Sequence, residues 1–246
     1  MGAIIQLDDL TAGYDRQPAL WRVSGSFAAG SLTAVVGPNG AGKTTLLKVI
    51  VGLLRPGSGR VALAVARREI AYLPQRSEID RTFPISVQEV VGLGHWRRVG
   101  AFRGIGAAGA KAVAHALQAV GLEGCAGRPI GSLSAGQFQR VLFARLLVQD
   151  CGIVLLDEPF AAVDPRTTAD LQEIVRSCHR QGRTVVAVMH DLARARAEFP
   201  QTLLLAREVV AWGKTDEVLH PDNLFRAWGT PDATQPTAPE RIAIPA

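Results

Sequence analysis

Residues 37–44 read Gly37-Pro38-Asn39-Gly40-Ala41-Gly42-Lys43-Thr44 and lie directly behind the apolar run Leu32-Thr33-Ala34-Val35-Val36. A strand ending at Val36, a glycine-rich turn and a helix starting near Lys43 would aim several backbone N–H groups and one helix N-terminus at a single anion. Glycine at 37, 40 and 42 lets the backbone enter crowded or left-handed conformations, so that its amides can curl around a phosphate with no Cβ in the way. Lys43 would reach the outer phosphates of a nucleotide and Thr44 would offer a hydroxyl to Mg²⁺, with Thr45 completing the stretch. Leu46, Leu47, Ile50 and Val51 recur at helical spacing and give the loop a packed helix to stand on. Residues 37–45 therefore read as a cradle for the phosphates of a nucleotide.

Working outward, residues 4–10 and 19–27 have strand character around a turn at 13–18, and the cradle's own strand follows. Residues 61–65 and 70–73 form another short pair of strands. Residues 87–93 and 107–120 carry helical spacing with no strand between them, so a helical insert is expected to begin near Ser77. Strand signals return at 153–156, 184–189 and 203–205, each short, continuous and apolar, as strands buried on both faces should be. A helix over 166–179 falls between two of them, and this alternation implies parallel strands with crossover helices. The expected organisation is one domain over residues 1–229, its core at about 1–76 and 151–229 and its helical part at about 77–150. Residues 230–246, with Pro231, Pro236, Pro239 and Pro245 among polar residues, read as a loosely ordered tail.

A chain of 246 residues can bury a sizeable core without metal or disulfide staples. Its three cysteines, Cys125, Cys151 and Cys178, are odd in number and form no C-x-x-C pair, which suits a reducing compartment and small buried apolar roles. The start has no charged segment followed by an apolar stretch, and no run of eighteen apolar residues occurs, so a soluble, cytoplasmic protein is expected. A formal charge of +5 is compatible with phosphate ligands, anionic lipid or nucleic acid, and selects none of them. Arg97, Arg98 and Arg103, interleaved with Trp96 and Phe102, read as a solvated loop or a membrane-proximal face, and no mechanistic role is assigned to them.

Residues 153–158, Ile-Val-Leu-Leu-Asp-Glu, form an apolar strand that ends in two carboxylates, and strand ends are where a doubly wound sheet places its ligand crevice. Asp157 is the expected Mg²⁺ partner and Glu158 the base directed at an attacking water. His190 follows the strand at 184–189 in the same way, and there it would sense a γ-phosphate. Residues 133–137, Leu-Ser-Ala-Gly-Gln, precede a helical run at 138–148, with Ser134 at an N-cap position. This segment reads as a second anion site.

Two phosphate sites in one chain find an explanation in a resemblance. The loop at 37–44, the glutamine of Tyr72-Leu73-Pro74-Gln75, the Leu-Ser-Ala-Gly-Gln segment, Asp157-Glu158, Asp164 and His190 together resemble, in order, the motif set of ABC transporter ATPases, over about residues 4–220. The resemblance implies an α/β fold: a P-loop NTPase core with a mostly parallel sheet, an antiparallel β subdomain and an inserted helical subdomain. It implies ATP and Mg²⁺ as cofactors, and a second copy of the chain packed head to tail. In such a dimer Ser134, Ala135, Gly136 and Gln137 of one copy face the phosphate loop of the other. Tyr14 then resembles the aromatic that stacks on adenine. Gln75 resembles the residue that touches Mg²⁺ and water and links the site to the membrane subunit, and Asp164 the one that crosses the dimer interface. Two departures stand out: Ala135 where glycine is usual, and Ala161 with Ala162 where a serine often begins the segment leading to Asp164. Neither removes a charge or a phosphate ligand.

Residues 157–164, Asp-Glu-Pro-Phe-Ala-Ala-Val-Asp, with Gln137-Phe138-Gln139-Arg140 upstream, are similar to the branch that energises zinc and manganese import. Its implied partners are integral membrane permease subunits and, indirectly, a periplasmic or extracellular metal-binding protein, with no nucleic acid. The five histidines are scattered, so metal selection would belong to those partners. The expected place is peripheral, on the inner face of the cell membrane. Manganese, iron or an iron chelate remain alternative cargoes. A soluble, non-transport ABC ATPase and a small-molecule P-loop kinase are rivals from other classes. The first of these would be expected to carry coiled-coil insertions or paired cassettes, and the second has no use for residues 133–137.

Overall fold

A computed structural model describes residues 2–15, 17–75, 80–96, 106–161 and 163–229. The predicted start of the helical insert at Ser77, the arginines of 97–103, Ala162 and the proline-rich tail lie outside the described residues.

The chain opens with strands β1 (Ala3–Tyr14) and β2 (Gln17–Ala28), followed by β3 (Leu32–Val36), helix α1 (Lys43–Val51), β4 (Ser58–Leu63) and β5 (Ile70–Leu73). Then come α2 (Val87–Gly92), α3 (Ala107–Ala119) and α4 (Ala135–Gln149). The second half alternates β6 (Ile153–Asp157), α5 (Pro165–Arg180), β7 (Thr184–Val188), α6 (Leu192–Glu198), β8 (Gln201–Ala206) and β9 (Glu208–Lys214), and ends in α7 (Thr215–Val218) and α8 (Pro221–Trp228).

Two sheets result. One is antiparallel in the order β2-β1-β4; the other runs β5-β6-β7-β3-β8-β9, parallel throughout except for β9. Strands β3, β5, β6 and β7 are buried along their whole length, which is why they read as unbroken apolar runs rather than alternating ones. The pleat sends successive side chains to opposite faces. Ile153 and Leu155 join Leu46, Leu47, Ile50 and the inner face of β1 and β2, whereas Val154 and Leu156 join Phe138, Val141, Leu142 and other residues of the helical face. The large sheet is thus the middle layer between an antiparallel sheet with α1 on one side and helices on the other.

The hairpin departs from expectation. Pairing continues to Tyr14 opposite Gln17, leaving a tight turn in which Asp15 adopts φ 45°, instead of an open turn over 13–18. Strands also run longer than predicted at 3–14 and 201–206, because ladder bonds carry half-polar ends that apolar counting misses. Helix α4 starts at Ala135, three residues before its apolar run, because Ser134 and Gln137 close a reciprocal capping box. Strand β9 and helices α6, α7 and α8 were not expected from the sequence. Cys151 and Cys178 are buried and Cys125 is half-buried, and no disulfide joins any of the three.

Candidate active site

Four adjacent parallel strands, β5, β6, β7 and β3, end at one edge of the large sheet. Parallel register is what makes this possible, since each crossover returns the next strand pointing the same way. The edge gathers Gln75 beyond β5, Asp157 and Glu158 at the end of β6, His190 beyond β7 and the loop 37–44 beyond β3.

The loop is built by what surrounds it. A Cβ on Gly37 would stand 1.9 Å from the Leu205 carbonyl oxygen, and one on Gly42 would stand 2.3 Å from that of Ala19, at a φ of 89°. Only glycine passes between those walls. The Arg207 amide, in a left-handed turn at φ 64°, donates to the Ala41 carbonyl at 3.0 Å, and the Arg207 carbonyl accepts from the Trp21 amide at 2.8 Å. The loop is therefore clamped between the β8–β9 turn and β2. Gly42 caps α1 without any side-chain bond, so no hydroxyl or carboxylate competes for the first-turn amides. Asn39 and Gly40 are exposed at the rim, Pro38 is half-buried, and Ala41 is buried.

Lys43 is 6 % exposed, and its Nζ donates to the carbonyls of Gly37 and Pro38 at 2.8 Å each. Burial pushes its ammonium below the usual lysine range, and the carboxylates of Glu158 and Asp157 pull it partly back. The Thr44 hydroxyl donates to Asp157 Oδ1 at 3.1 Å, and Asp157 is fully buried, with the Tyr72 hydroxyl 3.5 Å from its other oxygen. A hydroxyl beside a carboxylate is the hard, oxygen-only donor set that Mg²⁺ takes together with phosphate and water. Thr45, by contrast, is buried within α1. Glu158 adopts φ 50°, and its Oε1 lies 2.6 Å from His190 Nε2. That turn is held by the Ala161 amide on the Glu158 carbonyl. Gln75 is half-buried at the end of the row, and Tyr14 ends β1 with its ring half exposed.

The second predicted group assembles elsewhere. Ser134 accepts from the Gln137 amide at 3.2 Å, and Gln137 Oε1 accepts from the Ser134 amide at 3.1 Å. A Cβ on Gly136 would meet Asp164 Oδ2 at 3.3 Å, so Asp164 joins this group rather than the strand tips. Asp164 caps α5, and the Thr167 amide that it accepts holds its carboxyl below the usual range. Three polar residues that fix this region were not singled out as site residues. Arg81 donates to the Leu133 carbonyl and lies over the Phe138 ring at 4.9 Å. Arg140 holds Asp170 and the Val120 carbonyl. Gln139, 2 % exposed, donates to the Pro159 carbonyl at 2.8 Å. A polar residue at a position that helical spacing places in the core was the available signal for Gln139.

A glycine cradle at one strand tip, with acids at a nearby tip of the same sheet, defines a P-loop NTPase. The family model described as ABC transporter matches residues 20–161. The manganese transport system ATP-binding protein MntB of Listeria monocytogenes is 39 % identical over 230 residues, covering 92 % of this chain and 96 % of that protein. The zinc transport system ATP-binding protein TroB of Treponema pallidum is 38 % identical over 230 residues, covering 92 % and 86 %. Among solved structures, an ABC transporter ascribed to the metal-chelate type, in an inward-facing conformation, superposes with a TM-score of 0.83 at 27 % identity, covering 93 % of this chain and 90 % of that one. The dimeric ATP-binding cassette MJ0796, in a post-hydrolysis state with ADP and phosphate, superposes at 0.76 and 27 % identity, covering 86 % and 98 %. The chain belongs to the ABC transporter family and is an ATPase.

Proposed function

We propose that two copies of this chain, head to tail, bind and hydrolyse two ATP to drive metal-ion uptake, zinc first among the candidates, through separate permease subunits. The observation that carries the reading is the convergence of Gln75, Asp157, Glu158, His190 and the loop 37–44 at one sheet edge. Ser134 and Gly136 stand with Asp164 at another place in the fold, which fits a group that serves the partner copy's nucleotide. In this reading residues 37–45 hold the phosphates and Tyr14 stacks on the base. Lys43 leaves the two loop carbonyls for phosphate oxygens, exchanging two neutral acceptors for charged ones. Thr44, Asp157 and Gln75 would hold Mg²⁺, which supplies charge neutralisation on the phosphates when bound. Glu158 takes up the proton of the attacking water, and His190, donating through Nε2, orients that carboxylate and faces the γ-phosphate.

We read residues 1–229 as one catalytic domain whose helical part, about 77–150, faces the permease at the inner surface of the cell membrane. Among the described residues, no helix is long and apolar enough to cross a membrane. Manganese is the second reading for the cargo, favoured by the similarity to a manganese-system protein as much as to a zinc-system one. Zinc and manganese uptake in cells carrying Glu158→Gln in place of the parent gene separates the two. Loss of zinc uptake alone supports the first, loss of manganese alone the second, and loss of neither removes the importer reading. In vitro, the same variant should stop turning over while accumulating an ATP-bound dimer on gel filtration; normal turnover would remove Glu158 as the base.

A further inference from the structure

We propose that Gln139 is a positioning residue for the hydrolytic step, holding the turn that aims Glu158 and joining that turn to helix α4. The inference rests on the assignment of Glu158 as the base. Gln139 is 2 % exposed among Phe138, Val141, Leu142 and Phe143, all buried. A primary amide in such surroundings is unfavourable unless bonded, and a leucine would fill the same volume with no polar group to satisfy. What the amide does there is specific: Nε2 donates at 2.8 Å to the carbonyl of Pro159, the residue directly after Glu158. Proline contributes no amide to the turn, and Glu158 itself sits at φ 50°, a conformation that a non-glycine residue keeps only when its surroundings enforce it. The Ala161 amide fixes the Glu158 carbonyl from one side. Gln139 fixes the next carbonyl from the other. Between them the Glu158 side chain is delivered to 2.6 Å from His190.

The bond also has a far end. Gln139 stands two residues beyond Gln137, on the helix whose start is pinned by Arg81 through Leu133. In the head-to-tail dimer that start serves the partner's nucleotide, whereas Glu158 serves this copy's own. Gln139 is thus a direct polar link between the two sites within one copy, so that seating α4 on one nucleotide reports to the base acting on the other.

The test uses the full chain and steady-state ATPase assays on Gln139→Leu and Gln139→Glu beside the parent and Glu158→Gln. For Gln139→Leu, kcat should fall on the order of tenfold or more with KM for ATP within about twofold, since removing an orienting bond touches the transition state and not nucleotide binding. Thermal midpoint should fall by no more than several degrees, because the leucine removes a buried amide while the Pro159 carbonyl loses its donor. Gln139→Glu distinguishes orientation from packing: a buried carboxyl titrates high, so at acid pH it is neutral and can donate to the Pro159 carbonyl, and at alkaline pH it cannot. Its kcat relative to the parent should therefore decline as pH rises, whereas the Gln139→Leu ratio stays flat. A Gln139→Leu enzyme with parental kcat, or a pH-flat Gln139→Glu ratio, overturns the proposal. If Glu158→Gln itself turns over normally, the failure lies with the base assignment and not with Gln139.

Discussion

Helices α1 and α4 both begin with a stretch suited to an anion, and the surroundings of the two starts differ in kind. Helix α1 starts behind Gly42 with no side-chain cap, in a loop walled by Leu205, Arg207 and Ala19, with a buried lysine and a buried aspartate beside it. Helix α4 starts behind an exposed Ser134 whose hydroxyl and Gln137 cap each other, with Asp164 beside Gly136 and Arg81 on the Leu133 carbonyl. The first start is a finished pocket in which every wall comes from the same chain. The second is a finished helix end with one open face. The difference teaches that helix-terminus amides do not by themselves make a binding site; what the fold places opposite them does.

Breaking the two starts separately and then mixing the products tests this most severely. Lys43→Ala and Ser134→Arg should each lower ATPase activity by on the order of a hundredfold, through lost charge stabilisation in one and a blocked face in the other. An equal mixture of the two variants should recover roughly a quarter of the parental rate, because half of randomly paired dimers would keep one intact composite site. A mixture no more active than its components would mean that the second group works within its own chain, or not at all.

Structural tolerance should divide the same way. Gly42→Ala forces a left-handed residue with a Cβ against the Ala19 carbonyl, and should lower stability by about 2–3 kcal/mol, read as a fall in thermal midpoint of roughly 5–10 °C. The buried Lys43 gives a pH signature of the pocket. Its pKa is depressed on folding, so between the folded value and the ordinary value of 10.5 the unfolded chain binds the extra proton and stability contributed at this site rises with pH. Removing the charge with Lys43→Met should flatten that part of the alkaline stability profile in denaturant titrations. The smallest effect belongs to the open end: Gly136→Ala has helical backbone and a 3.3 Å neighbour in the exposed Asp164 carboxylate, so stability should change by less than about 0.5 kcal/mol.

The pocket was largely legible in the sequence because its chemistry is local. Glycines at 37, 40 and 42, Lys43 and Thr44 sit in one run, and continuous apolar strands announce a parallel sheet whose tips collect Asp157, Glu158 and His190. The walls were not legible. Leu205, Arg207 and Ala19 act through backbone groups, which any side chain can supply, and β9 is a half-exposed strand whose alternation is weak. Gln139 carried a visible signal, a polar residue at a core position, but its meaning needed the carbonyl of Pro159 opposite it. Gly136 and Asp164 could be named from the sequence one at a time, and only the packing of α4 against α5 made them neighbours.

The clamp formed by Arg207 has a bearing on how the subunit is made. The glycine loop that cradles the phosphates in our reading is synthesised early, yet the carbonyl of Leu205 and the amide of Arg207 that shape it come from a strand and turn translated long after it. Such a long closure is slow to form and depends on distant pairing. A chain ending at Pro200 should therefore fail to bind a fluorescent ATP analogue despite carrying the whole glycine loop. Nucleotide competence would then wait until the β8–β9 turn has been made and has closed on the loop, so that an emerging subunit lacking that turn would not capture ATP.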